Sequence, residues 1–82
     1  MTYTEIETMV KEILAKQLSM EAGRINSESR LVEDLGVDSF GSVEIAFELE
    51  EKFDLKIPDA ALYEAKTVKN IVDYIASQKE SK

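Results

Sequence analysis

LVEDLGVDSFGSVEIAFELEEKF (residues 31–53) decides the fold of this chain, because it contains both the start and the body of a helix. Asp38 is a favoured N-cap residue, so we expect the helix to begin at Ser39 and to end near Phe53. The apolar residues that follow Asp38 recur at the spacing of an α-helix rather than of a strand. Gly36 indicates a turn just before the helix.

This helix carries two apolar stripes, centred about 140° apart when each residue advances the helix by about 100°. The first has the pattern of a core-facing stripe and consists of Ile45, Ala46, Leu49 and Phe53. The second, which we name the apolar strip, consists of Phe40, Val43 and Phe47. Carboxylates flank the strip, with Glu44, Glu48 and Glu51 on one side and Glu50 on the other. An apolar centre with a charged rim is typical of a docking face; packing beneath the preceding connection is the alternative interpretation.

Helical patterns lie on both sides of this segment. Thr2 and Glu5 match a capping box for a first helix over residues 3–18, and Met1 is placed to contact Ile6 as a hydrophobic staple. The connection that follows has little periodicity, and we expect four apolar residues to pin it to the core, namely Ile25, Leu31, Val32 and Leu35.

The C-terminal part predicts two more helices. A short third helix is expected from residue 59 to about residue 64, and Thr67 is expected to cap a fourth. The polar tail over residues 77–82 is expected to fray. The predicted fold is all-α, a small four-helix bundle of three main helices and a short third helix with a long first loop. We expect a single domain over residues 1–82.

Composition excludes most catalytic arrangements. The chain has no His and no Cys, so it can build neither a Ser-His-Asp site nor a thiolate–metal site. A domain of this size also leaves little room for a deep substrate pocket. We therefore predict no catalytic residue, no metal site and no independent enzyme activity. With no export signal and no apolar run of about 18 residues, the sequence predicts a cytoplasmic protein without membrane insertion, and we expect a monomer.

The negative charge is concentrated around Ser39. Residues 28–54 contain nine acids and two bases, whereas the rest of the chain contains eight acids and eight bases. This one segment therefore accounts for the whole net charge of −7. Such a field repels nucleic acid and attracts basic partner surfaces.

Ser39 is the residue that this pattern singles out. A serine in the first turn of a helix is ordinarily a helix-start residue, but Asp38 already supplies the cap. The positive end of the helix dipole favours a phosphate at this hydroxyl. Ser39 also stands at the head of the apolar strip, so its setting indicates an attachment point rather than a catalytic nucleophile.

The stretch LVEDLGVDSFGSVEIAFELEEKFDLKIPD (residues 31–59) resembles the acyl carrier proteins of fatty-acid and related biosynthesis. The family motif is an Asp-Ser-Leu triplet after Leu-Gly-x, and here it reads Leu35-Gly36-Val37-Asp38-Ser39-Phe40. Matching features continue to Asp73-Tyr74-Ile75, so the resemblance covers essentially the whole chain.

The resemblance implies that Ser39 carries a 4′-phosphopantetheine arm transferred from coenzyme A. Acyl groups would ride as thioesters on the terminal thiol of this arm and shelter between the helices. It also implies that Asp38 helps to position a metal ion in the complex with a phosphopantetheinyl transferase. The other implied partners are acyl-transfer and chain-elongation enzymes with basic docking patches. The predicted partner-binding residues are Asp38, Phe40, Val43, Glu44, Phe47, Glu48 and Glu51.

Departures from the family pattern leave the pathway open. Phe40 replaces the usual leucine, Gly41 and Ser42 replace an acidic–polar pair, and Ala65 stands where a larger aliphatic residue is common. The chain could serve fatty-acid synthesis or be a specialised carrier of a polyketide, lipid or other secondary pathway. An unmodified helical interaction module that uses the same acidic face is the further alternative.

Overall fold

Residues 2–80, which the computed structural model describes, form four α-helices. These are α1 (Tyr3–Leu18), α2 (Ser39–Phe53), α3 (Asp59–Glu64) and α4 (Val68–Glu80). A turn of 3₁₀ helix, Ala22–Arg24, interrupts the connection between α1 and α2. α1 packs against both α2 and α4. The predicted all-α fold, with three main helices, a short third helix and a long first loop, is confirmed.

The first helix begins at the predicted capping box. The Oγ1 atom of Thr2 accepts a hydrogen bond from Glu5 N at 3.1 Å, and Glu5 Oε1 accepts one from Thr2 N at 2.8 Å. The helix ends where Ser19 adopts a left-handed conformation with φ of 56°. The predicted contact between Met1 and Ile6 lies outside the described residues.

The fourth helix begins with a similar reciprocal cap. Thr67 Oγ1 accepts a hydrogen bond from Asn70 N at 3.3 Å, and Asn70 Oδ1 accepts one from Thr67 N at 3.1 Å. The helix extends through Glu80, past Ser77 where the frayed tail is predicted to begin. This segment contains neither Gly nor Pro, so nothing in it interrupts the helical hydrogen bonds. Residues 81–82 of the predicted tail lie outside the described residues.

The core lies where the predicted stripe of α2 meets the apolar faces of α1 and α4. Ile45, Leu49 and Phe53 are buried as predicted, and Ala46 is half-buried. The largest fully buried side chains include Phe53, Ile6, Leu14, Leu49 and Ile75. The three main helices therefore share one apolar core, and the opposite face of α2 is left to solvent.

The connection before α2 is tied to the junction between α3 and α4 by backbone hydrogen bonds. Leu31 N donates to Lys66 O at 2.9 Å, Val68 N donates to Ser29 O at 3.1 Å, and Lys69 N donates to Ser27 O at 2.8 Å. These bonds join residues far apart in the chain. The connection therefore has a fixed course although it is largely non-helical.

Three of the four predicted anchors of this connection pack inward, and one does not. Ile25 and Leu31 are buried and Leu35 is partly buried, but Val32 is 69% exposed. The prediction for Val32 is wrong because the chain turns at this point, and Leu31 already fills the core position. Val37, which the pattern does not single out, is buried instead.

Candidate functional site

Ser39 is the first residue of α2, and its side chain is exposed. Asp38 is the N-cap, as predicted, since its Oδ1 accepts a hydrogen bond from Gly41 N at 2.6 Å. Its carbonyl oxygen accepts a second bond from Ser42 N at 2.9 Å. Because Asp38 satisfies the first turn, the hydroxyl of Ser39 is not needed as a helix cap.

Two glycines shape the backbone around Ser39. Gly36 has φ of +73°, a left-handed conformation that glycine adopts without steric cost, and it turns the chain into α2. A Cβ atom added to Gly41 would lie 3.1 Å from Asp38 Oδ1. The glycine at position 41 therefore admits the close approach of the capping carboxylate, which gives a structural reason for this departure from the family pattern.

The apolar strip is exposed to solvent along its whole length. Phe40, Val43 and Phe47 are 73%, 64% and 60% exposed, respectively. The alternative in which the strip packs beneath the preceding connection is therefore wrong. Large apolar side chains left open in a row are the feature expected of a partner-binding surface.

The carboxylates beside the strip differ in their surroundings. Glu44 and Glu51 are exposed, as a docking rim requires. Glu48 is half-buried and forms an ion pair with Lys16 of α1 at 3.6 Å. Glu50, predicted on the other side of the strip, is half-buried, and its Oε2 accepts a hydrogen bond from Ile57 N at 2.8 Å, which secures the chain after α2. Fewer carboxylates beside the strip are therefore free to meet a partner than the sequence alone suggests.

A cleft of about 590 Å³ opens beside Ser39. Its walls come from the connection before α2, the start of α2 and the chain around the end of α3. They are mainly apolar, and the apolar lining residues are Leu31, Val32, Val37, Tyr63 and Ala65. The polar lining residues are Glu33, Asp38, Ser39, Ser42 and Lys66. A slender arm with amide and methylene groups fits an apolar-walled cleft that reaches its point of attachment. Ser39 would hold such an arm covalently, and the arm supplies a thiol for acyl transfer.

A second groove, of about 370 Å³, lies between α1 and α2 and shares no lining residue with the Ser39 cleft. It is more polar and contains the ion pair of Lys16 with Glu48. Within residues 2–80, no group of three or more His, Cys, Asp or Glu side chains could hold a metal ion. No helix in the same range is long and apolar enough to cross a membrane.

The side chains of Tyr3, Asp73 and Glu7, whose pKa values are shifted, lie away from Ser39 and join helices or loops. Tyr3 donates a hydrogen bond to Asp73 Oδ1 at 2.5 Å, which raises the pKa of Tyr3 to about 12 and lowers the pKa of Asp73. A hydrogen bond from Ser27 lowers the pKa of Glu7. These bonds fasten α1 to α4 and to the long connection, so they stabilise the fold rather than take part in the site.

The lining of the cleft is the part of the site that sequence reasoning missed. Val32, Tyr63 and Lys66 belong to two separate segments that only tertiary packing brings to Ser39. No spacing pattern in the sequence indicates that these residues lie close together. Ala65 is the exception, because the sequence already singles it out as a departure from the family pattern, and it lines the cleft.

Comparisons with known proteins agree with this geometry. Residues 9–75 match a family model described as the phosphopantetheine attachment site. An acyl carrier protein of Helicobacter hepaticus is 46% identical over 70 residues, which cover 85% of this chain and 92% of that protein. One of Cyanidioschyzon merolae is 40% identical over 81 residues, covering 99% of this chain and 89% of that protein.

A solved structure extends the agreement to three dimensions. The structure of the acyl carrier protein from Enterococcus faecalis superimposes with a TM-score of 0.78 at 32% identity, covering 94% of this chain and 98% of that one. The predicted cofactor, 4′-phosphopantetheine, is confirmed by the matched attachment-site model. With the exposed serine, its capped helix and these matches, the chain belongs to the family of acyl carrier proteins.

Proposed function

We propose that this chain carries acyl groups as thioesters on a 4′-phosphopantetheine arm attached to Ser39, and that it acts as a carrier rather than as a catalyst. The observation that carries the proposal is the position of Ser39. Its side chain is exposed at the first residue of α2 and lines a mainly apolar cleft. The hydroxyl is thus open to a modifying enzyme, and the cleft can receive what is attached.

The surroundings of Ser39 support attachment and not self-catalysis. The chain has no His to act as a general base. Asp38 is engaged as the helix cap through Gly41 N. An external transferase must therefore deprotonate the hydroxyl, whose oxygen attacks the pyrophosphate of coenzyme A and releases adenosine 3′,5′-bisphosphate. The product is a phosphodiester at the positive end of the α2 dipole. That position favours the anion that results.

We further propose that partners dock on α2 through the apolar strip, with Asp38 at its head and Glu44, Glu48 and Glu51 along its rim. Partner arginines or lysines would meet Glu44 and Glu51 directly, whereas they must compete with Lys16 for Glu48. The partners we propose are a phosphopantetheinyl transferase and acyl-transfer and chain-elongation enzymes with basic patches. Charge complementarity of this kind raises association rates more than affinity.

The decisive experiment is to incubate the unmodified protein with coenzyme A and a phosphopantetheinyl transferase and to measure its intact mass. We expect a gain of one prosthetic group in the wild type and no gain in Ser39→Ala. The matched control is Ser42→Ala, which removes a hydroxyl that lines the same cleft and should still load. If the wild type gains no mass while a known carrier is modified in the same mixture, the chain is an unmodified interaction module.

Two departures from the family pattern bear on which pathway this carrier serves. Phe40 enlarges the exposed apolar surface next to Ser39, and Ala65 leaves space in the cleft wall. Both features favour a carrier specialised in its partners or its cargo over a general one. The cytoplasmic location, the monomeric state and the single-domain organisation stay predictions.

A further inference from the structure

Lys66 is the basic residue that lines the Ser39 cleft in the described part of the chain. Its side chain is exposed, and it forms none of the ion pairs found within residues 2–80. The acidic residues of the same cleft are already engaged. Glu33 pairs with Arg30 at 3.4 Å, and Asp38 caps α2. Lys66 therefore offers this cleft a positive charge that no ion pair within residues 2–80 neutralises.

The backbone of Lys66 is held in a fixed position relative to Ser39. Its carbonyl oxygen accepts a hydrogen bond from Leu31 N at 2.9 Å, and its N–H donates to Asn70 Oδ1 at 2.9 Å. Leu31 O in turn accepts a bond from Val37 N at 2.9 Å, two residues before Ser39. Hydrogen bonds thus link the root of the lysine side chain to the segment that carries the serine.

We propose that Lys66 binds the phosphodiester on Ser39 and so holds the first part of the arm within the cleft. The inference rests on the proposed function, since it requires the arm to be attached at Ser39. A phosphodiester is anionic at neutral pH, and at Ser39 it would lie in the acidic third of the chain, next to Asp38. A compact ammonium group on a flexible stem is well suited to such an anion.

The apolar walls of the cleft would bind the part of the arm beyond the phosphate. Val32 and Tyr63 are 69% and 79% exposed, although both line the cleft. An arm held at its phosphate by Lys66 would lie between these side chains and cover part of both. Lys66 thus acts as a positioning residue: the charge fixes the start of the arm, and the apolar walls direct the rest of it.

The test compares loaded and unloaded protein by phosphorus-31 NMR and by backbone amide shifts. In the wild type, we expect loading to shift the amides of Lys66 and Leu31. In Lys66→Gln these loading shifts should be lost and the phosphorus resonance should move, whereas Lys66→Arg should retain both signatures. Lys56→Gln is the matched control, because Lys56 is an exposed lysine that does not line the cleft.

A salt titration of the loaded wild type provides a second measurement, with loaded Lys66→Gln as the reference. Added salt screens an exposed ion pair, so the phosphorus resonance should move towards its position in Lys66→Gln. If loaded Lys66→Gln gives the wild-type phosphorus shift and the wild-type loading shifts, Lys66 does not bind the phosphodiester. Failure of the wild type to gain mass at all would instead overturn the proposed function, so the two failures are distinguishable.

Discussion

Asp38 combines a structural role with a proposed functional one, and two substitutions can separate them. Asp38→Ala removes the acceptor of the 2.6 Å bond from Gly41 N and leaves the first turn of α2 without its cap. Loss of an aspartate cap costs about 1 kcal/mol. Gly41 has the lowest helix propensity of the non-proline residues, so this turn depends on the cap. In a domain of this size, we expect a fall in melting temperature of about 4–8 °C.

Asp38→Asn keeps an oxygen that can accept the bond from Gly41 N but removes the negative charge. The loss is then limited to the interaction of the charge with the helix dipole, about 0.3–1 kcal/mol. We therefore expect the asparagine variant to melt between the wild type and the alanine variant. If the carboxylate positions a metal ion in the transferase complex, both variants should load slowly, although only one of them loses the cap.

The assay combines thermal unfolding with the rate of mass gain in the presence of coenzyme A and a transferase. Asp54→Asn is the matched control, because it removes one negative charge at the other end of α2. Asp54 is the C-cap with φ of 53°, a conformation that asparagine tolerates. Loading of Asp38→Asn at the wild-type rate would refute the proposed role in the transferase complex. An unchanged melting temperature in Asp38→Ala would show that the Asp38 cap does not stabilise α2 as expected.

Three further predictions test the two faces of α2 and the contact between α1 and α4. Leu49→Ala, at a fully buried site, should lower the free energy of unfolding by about 2–5 kcal/mol. Phe47→Ala, two residues away on the exposed strip, should change the free energy of unfolding by less than about 0.5 kcal/mol but weaken partner binding. Glu44→Lys should slow association with a basic partner enzyme at low salt and leave the melting curve unchanged; equal association rates would contradict the docking proposal. The bond between Tyr3 and Asp73 should stabilise the fold only between two pH limits. Urea unfolding of the wild type and of Tyr3→Phe at a series of pH values measures this contribution as the difference between their free energies of unfolding. Because the folded-state pKa of Asp73 is lowered, its contribution is present above the unfolded pKa and is lost as pH falls below about 4. Because the pKa of Tyr3 is raised to about 12, the contribution of the phenol is complete below the unfolded pKa and is lost as pH rises through about 12. A constant difference between the two proteins from acid to alkaline pH would show that the bond does not form.

The helices could be predicted because their ends are encoded by neighbouring residues. Thr2 with Glu5, Asp38 with Gly41, and Thr67 with Asn70 each place an acceptor and a donor three residues apart. The two stripes of α2 were visible for the same reason, since rotation about a helix follows from sequence spacing alone.

The rest of the site depends on contacts between distant segments, which no local pattern reports. Val32 was expected in the core and is exposed, and the hydrogen bond from Ile57 N that engages the carboxylate of Glu50 has no local signature in the sequence. Lys66 and Tyr63 reach the cleft only because the junction of α3 and α4 packs against the connection before α2. Such placements are set by the loops, whose course the sequence leaves undetermined.

The bonds between the long connection and the start of α4 have a consequence for the timing of folding. α2 can form early from local contacts, but the bonds of Ser29 O with Val68 N and of Leu31 N with Lys66 O close long loops of chain. Long loops close at a greater entropic cost, so we expect the surroundings of Ser39 to assemble last. A transferase that requires these surroundings would then modify only molecules that have finished folding, and attachment of the arm would serve as a check on the completed structure.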